Sequence, residues 1–244
     1  MADEQGVAQD AETTLVAQHL AAIQDRIAAA ARRVERDPAR VRLVVVTKGV
    51  PLGPMRAARE AGARIFGESR LQEADEKMAA MGPCEGLEWH FIGRLQRRKA
   101  KSVIGRFALI HSVDSLDLAE EISRRAKAAG FEQAVLVEIN VGGEASKAGF
   151  APDAAADAVR EMDRMPHLLV RGLMTIPPPV ADPEWSRPHF RELGRLGRSI
   201  GGLGLTRVRM DELSMGMSSD FEVAVEEGAT FVRVGTSIFG ARHG

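Results

Sequence analysis

A (β/α)8 TIM barrel preceded by one extra N-terminal helix is the fold this sequence predicts, and three observations predict it. After residue 40, eight short runs rich in Val, Ile, Leu and Phe alternate with seven amphipathic segments. That alternation is the mark of repeated βαβ units on a parallel sheet. The chain has 244 residues, and barrels of this kind need about 250. No strand-to-helix turn carries G-x-G-x-x-G or a Walker A sequence, which speaks against an open, doubly wound α/β sheet.

Residues 1–11 read as a flexible acidic tail, and residues 12–244 as a single domain. Val16, Leu20, Ile23, Ile27, Ala30 and Val34 step by three and four, so one apolar stripe predicts a helix over 13–34. Asp37 and Pro38 end it. The first strand is predicted over 41–47 and a helix over 54–61. A short second strand at 64–67 leads into a helix over 71–81. The third strand, 88–92, is followed by a helical segment at 96–103. Strand 107–113 feeds a helix over 115–129, and strand 133–140 one over 152–164. Strand 168–176 precedes a helix over 182–200. Strand 207–213, a helix over 218–227 and strand 231–234 complete the set.

Composition excludes several function classes. Apolar residues make up 45% and charged residues 27%, an ordinary globular balance. Net charge is −1 and pI about 6.6, so no global basic field recruits nucleic acid or anionic membrane. The longest charge-free stretch, 13–24, has twelve residues, too few to span a bilayer. The first 25 residues lack Lys and Arg but hold Asp3 and Glu4, unlike a signal peptide. Cys84 is the single cysteine and no H-E-x-x-H pair occurs, so neither an intrachain disulfide nor a metal site is expected. The expectation is a cytoplasmic protein that binds neither membrane nor nucleic acid.

In a barrel, chemistry gathers at the C-terminal ends of the strands. Lys48 follows Val44, Val45 and Val46. At an apolar rim its amine would be desolvated and able to form a Schiff base; the alternative is a lysine that snorkels to solvent. Ser218 reads as the N-cap of the seventh barrel helix, and Gly235-Thr236 follows the last strand. Backbone N–H groups in these two loops often hold phosphate, although Ser and Gly punctuate any turn. Phosphate donors opposite an imine-forming lysine suit pyridoxal 5′-phosphate. Arg233 either points into the barrel, toward the cofactor's ring nitrogen, or outward to Glu226 or Glu227. His90 faces the ring or is a satisfied core group. Arg94, Arg97, Arg98, Lys99 and Lys101 form a solvated basic helix face or, alternatively, an anion or nucleic-acid contact. Met215 and Met217 read as packing.

These residues resemble the pyridoxal phosphate homeostasis protein family. The resemblance rests on Val44 to Lys48, on Phe66-Gly67-Glu68 with Gln72-Glu73, and on Trp89-His90-Phe91-Ile92-Gly93 with Leu95-Gln96 and Lys99. It continues through Asn140, Ser146-Lys147-Ala148-Gly149, Gly172-Leu173-Met174, Leu213-Ser214-Met215-Gly216-Met217-Ser218 and Arg233-Val234-Gly235-Thr236 with Ile238-Phe239-Gly240. The family's fold is similar to the N-terminal barrel of alanine racemase, fold-type III. The resemblance implies that Lys48 holds the cofactor as an internal aldimine. It implies that Ser218, Gly235 and Thr236 hold its phosphate and that Arg233 faces the pyridine nitrogen. Ser214, Met217, His90 and Ser69 complete the implied cofactor-binding set. Where Ser69 and Arg70 stand, the family often has Asn and Tyr.

The function so implied is intracellular vitamin B6 homeostasis by a carrier or buffer without catalytic turnover, with apo pyridoxal phosphate enzymes as acceptors. The alternatives are an amino-acid racemase or related fold-type III enzyme, and a barrel enzyme for another phosphate ligand. Racemase relatives use a lysine and a tyrosine as opposed bases, the tyrosine on a further C-terminal domain. This sequence holds no tyrosine and stops at Gly244, so binding and a monomer are expected. Lys147, in a glycine-bounded loop, is expected either to assist release of the cofactor or to pair with Glu144.

Overall fold

The structure is a computed structural model that describes residues 2–144 and 147–240, with side chains of the first helix from residue 11. Eight parallel strands close in sequence order. They are β1 Arg42–Val46, β2 Ile65–Glu68, β3 Glu88–Phe91, β4 Leu109–Val113, β5 Gln133–Glu138, β6 Leu168–Met174, β7 Val208–Ser214 and β8 Phe231–Val234. The ring closes where β1 pairs with β8, Val44 opposite Arg233.

Successive strand residues face opposite sides of the sheet, and two apolar layers result. Val44, Ile65, Leu109, Leu136, Met174 and Phe231 fill the barrel interior. Val45, Phe66, Phe91, Ile110, Val135, Val137 and Val232 face the helices. The helices are α1 Ala2–Arg33, α2 Leu52–Glu60, α3 Leu71–Met81, α4 Leu116–Ala128, α5 Ala155–Asp163, α6 Arg187–Gly201, α7 Phe221–Glu226 and α8 Thr236–Phe239. No described helix is long and apolar enough to cross a membrane.

The extra helix packs across the seam. Its stripe Val16, Leu20, Ile23, Ile27 and Ala30 is buried, and it lies against α2, α7 and α8. Val34, the last residue of the predicted stripe, is 40% exposed. Beyond it Glu35 turns with a positive φ, and Asp37 caps a short 3-10 turn at Pro38–Arg40. Polar contacts fasten the same face. Arg26 pairs with Glu222 at 3.1 Å and Arg33 with Glu226 at 2.7 Å. Arg36 donates to the carbonyls of Val225, Gly228 and Ala229.

All eight predicted strands form; the helices differ in places. The first helix starts at Ala2 and runs through the segment read as a tail. Residues 96–103 do not form an α-helix but a 3-10 turn, Arg97–Ser102, in which only Ala100 is buried. Four basic side chains leave that segment no apolar face to dock, and a longer helix gains nothing. Residues 183–186 form another 3-10 turn before α6. The seventh barrel helix begins at Phe221, not at Ser218.

Gly172 is the tightest point between strands. A Cβ there would lie 1.8 Å from the carbonyl oxygen of Glu212 on β7. Gly172→Ala is therefore expected to cost at least about 2 kcal/mol, since the backbone rather than a side chain must yield. The urea midpoint checks this; an unchanged midpoint would contradict the packing.

Candidate functional site

The inward line of β1, Val44 and Val46, continues to Lys48 by the two-residue alternation of a strand. Lys48 is exposed at the mouth, not sunk in the apolar rim that the valine run suggests. The reason is local: the strand stops at Val46 and the chain turns, with the Val50 N–H donating to the Thr47 carbonyl at 2.9 Å. That turn lifts the side chain clear of the valines.

A buried charged cluster holds the turn from behind. Lys77, on α3, donates from Nζ to the Thr47 carbonyl at 2.5 Å, to Glu68 Oε1 at 2.8 Å and to Glu73 Oε1 at 2.5 Å. Glu73 also accepts the Gly49 N–H, and Thr47 Oγ1 donates to Glu68 Oε1 at 2.6 Å. The two backbone groups flanking Lys48 are thus tied to one ammonium. Burial alone would raise the Glu73 carboxyl, but the bonds from Lys77 and Gly49 hold it below its usual range. Glu68 Oε2 is buried with no hydrogen-bond partner among the described residues.

Arg233 takes the inward orientation. It is 5% exposed, and donates from Nη1 to Ser214 Oγ at 2.5 Å and from Nη2 to the Thr175 carbonyl at 3.0 Å. The outward alternative is occupied, because Glu226 and Glu227 pair with Arg33, Arg187 and Arg191. Burial lowers its pKa to about 10, against the pull of Glu138 and Asp220, so it stays charged at neutral pH.

Glu138 is a site residue that the sequence reading missed. It shares the inward parity of Ala134 and Leu136 at the end of β5, and that parity was the available signal. Burial, then the Asp114 carboxylate, raises its pKa to about 6, while Arg233 and Arg94 pull it down.

The loops after β7 and β8 rise beside Arg233. Gly216 has φ of +89°, and a Cβ there would lie 2.5 Å from Ala224 Cβ, so this loop lies close on α7. Ser218 is not a helix cap. Asp220 occupies that position, and its oxygens accept from the Met217 N–H at 2.7 Å and the Ser186 hydroxyl at 3.0 Å. Ser218 is half-buried, Gly235 buried and Thr236 exposed. Met215 is buried in the core, whereas Met217 is 36% exposed at the rim.

The remaining candidates stand apart. His90 is buried in the barrel, bonded to His111 at 3.0 Å and to Glu88 at 3.3 Å, and lines a cavity at the opposite, N-terminal end with Arg42 and Arg171. Ser69 lines an outer cleft of about 440 Å³ with Arg70, Arg94 and Lys99. In the basic run, Arg94 and Arg97 approach Asp114 and Asp117 only at 3.7 and 3.6 Å, exposed pairs of little energetic weight. Lys147 is exposed, its N–H donating to the Glu144 carbonyl at 3.0 Å. Ser146, part of the same motif, lies outside the described residues. Among the described residues no group of three His, Cys, Asp or Glu side chains could hold a metal ion.

Residues 18–243 match the family model described as alanine racemase, N-terminal domain. A pyridoxal phosphate homeostasis protein of Aquifex aeolicus is 43% identical over 225 residues, which cover 92% of this chain and 97% of that protein. A crystal structure of an unknown protein from Bifidobacterium adolescentis superposes with a TM-score of 0.86 at 37% identity, covering 94% and 96% of the two chains. PipY of Synechococcus elongatus, solved with PLP bound, gives 0.78 at 34% identity over 92% of this chain and all of that one.

Two outcomes follow from the electrostatics. Lys77→Met should destabilise the fold by about 3–5 kcal/mol, because it strands the Glu68 carboxylate in the interior; Lys77→Met with Glu68→Gln should recover part of that loss. Chemical denaturation of both variants checks this. Glu138 binds a proton more tightly folded than unfolded, so its contribution to stability falls as pH rises from 4.5 to about 6. Glu138→Gln should flatten that segment of the stability profile by about 2 kcal/mol. Parallel profiles for wild type and variant would contradict the assignment.

Proposed function

Because the chain belongs to the alanine racemase N-terminal domain family, among its pyridoxal phosphate homeostasis proteins, we propose that it binds pyridoxal 5′-phosphate at the barrel mouth. In this reading the protein keeps the cofactor in reserve in the cytoplasm, as a monomer, and gives it up to apoenzymes. The observation that carries it is the convergence on one barrel end of an exposed primary amine, a buried guanidinium and two donor loops.

The donor chemistry fits a phosphorylated aldehyde. Ser218, Gly235 and Thr236 offer backbone N–H and hydroxyl groups to a phosphate dianion. The nearby Asp220 carboxylate has both oxygens engaged, one by the Met217 N–H and one by the Ser186 hydroxyl before α6, so it is not turned to the anion. Gly216 lets the loop lie where a Cβ would collide with α7. When bound, the cofactor supplies an aldehyde that condenses reversibly with a primary amine. Lys48 supplies that amine, and the Lys77 cluster holds its turn. Ser214 and Thr175 hold Arg233 beneath the mouth.

Arg233 also favours holding over turnover. A guanidinium donates hydrogen bonds but does not give up its proton at neutral pH. It leaves a ring nitrogen unprotonated, which makes the ring a poorer electron sink than an acidic partner would. The competing reading is an amino-acid racemase or related enzyme, and Glu138 is the observation that favours it. An inward carboxyl with a pKa near 6 suits proton transfer.

One titration series tests these readings. Purified protein mixed with pyridoxal phosphate should acquire an imine absorbance that borohydride abolishes, leaving the ligand permanently attached. Lys48→Ala should fold normally by circular dichroism and lose it. Pyridoxal without phosphate should bind about a hundredfold more weakly, given about 1.5–3 kcal/mol for each charge-assisted bond lost. A full chromophore in Lys48→Ala, or equal affinity for the two ligands, would sink the assignment. Steady turnover of an amino-acid panel, lost in Glu138→Gln, would decide for the enzyme.

A further inference from the structure

Below the mouth, the barrel interior holds two histidines that the proposed binding role does not use. They lie in a continuous chain of side chains. Arg233 Nη1 meets Ser214 Oγ at 2.5 Å, and Ser214 Oγ meets His111 Nδ1 at 2.8 Å. His111 Nε2 meets His90 Nδ1 at 3.0 Å, and His90 Nε2 meets Glu88 Oε2 at 3.3 Å. The chain runs from just under Lys48's end of the barrel to the N-terminal end, where Glu88 reaches solvent with its side chain 57% exposed.

Its two ends fix the direction of every bond. Arg233 can only donate, so Ser214 accepts from it and gives its single hydrogen to His111 Nδ1. His111 then carries its proton on Nε2 and donates to His90 Nδ1. His90 in turn carries its proton on Nε2 and donates to Glu88, an ionised acceptor. The opposite tautomers would set a bare lone pair of His90 against the Glu88 carboxylate and leave the Ser214 hydrogen without this acceptor. Burial lowers the pKa of both histidines, and for His111 the neighbouring His90, Arg233 and Arg42 lower it further. The hydrogen bond from His90 holds Glu88 below its usual range. Two neutral rings between a cation and an anion are thus the arrangement at neutral pH.

The chain ends on an arginine, which releases no proton at neutral pH, so it cannot deliver protons to a ligand. It can only orient. We propose that His111 is a positioning residue for Arg233: through Ser214 it holds the guanidinium toward the ring nitrogen of bound pyridoxal phosphate, while His90 and Glu88 fix the tautomer that this requires. This deepens the function proposed above and rests on it.

The test has one arm without ligand and one with it. Nitrogen-15 NMR of the ligand-free protein at pH 7 should show His90 and His111 both neutral and protonated on Nε2. A proton on Nδ1 of His111 overturns the inference. In the second arm, His111→Leu and the milder Ser214→Ala are titrated with pyridoxal phosphate and with its 1-deaza analogue, in which carbon replaces the ring nitrogen. Either variant that folds should lose about tenfold in affinity for pyridoxal phosphate and less than about twofold for the analogue. Ser214→Ala keeps the arm decisive where His111→Leu fails to fold. Equal losses on both ligands mean a purely structural role and overturn this inference alone. A wild type that binds neither ligand overturns the proposed function, and with it the purpose assigned to the chain.

Discussion

A charged guanidinium inside a strand barrel is the constraint around which the upper half of this molecule is arranged. Arg233 is 5% exposed, and an unpaired charge at that depth would cost several kcal/mol. Its neighbours answer that cost with acceptors. The Thr175 carbonyl and the Ser214 hydroxyl take two of its hydrogens, and the Glu138 carboxyl faces it across the mouth. Ser214 can accept because His111 takes its own hydrogen, and His111 can do so because His90 and Glu88 settle its tautomer. One cation thereby sets the chemistry of side chains on β3, β4, β5 and β7, and of the backbone just beyond β6. The apolar interior, from Val44 to Phe231, gives way to polar side chains where this pairing is met.

The opposite wall of the mouth is organised on the reverse principle. Lys48 stands in solvent, and the charges that matter lie behind it. Lys77 is an interior ammonium whose three hydrogens are spent on Thr47, Glu68 and Glu73. Lys48 thus sits on a turn whose backbone is held from behind while its own side chain stands exposed. A held backbone under an exposed amine fits the role proposed for Lys48.

The strands were legible because β-branched runs broken by polar segments leave little else for the chain to do, and Lys48 and Arg233 were legible because they end such runs. What escaped had non-local causes. His111 stood in view at the end of the fourth strand, but nothing in the sequence pairs it with Ser214, 103 positions away. Nothing in the sequence sets Lys77 apart on its amphipathic helix; only the approach of α3 to the first turn buries it. Ser218 is not the cap because the helix begins two residues later, with Asp220 at the N-cap position and its carboxylate held by the Met217 N–H and the Ser186 hydroxyl. Glu138 was the one omission that strand parity could have repaired. The basic run at 97–102 misled in the other direction, since helix-forming residues do not make a helix without an apolar face to dock.

The seam closed by α1 has a consequence for synthesis. His19 reaches the carbonyl of Ile238, 219 residues later, and Arg36 grips three carbonyls at the end of α7. On the ribosome the first helix emerges long before the surfaces that cover it. Its apolar stripe must wait, uncovered, while the other strands are made, and the ring cannot close until β8 arrives to meet β1. The contacts that complete the ring are therefore also those that complete the Arg233 side of its mouth. A chain cut before β8 would lose the seam and the guanidinium together.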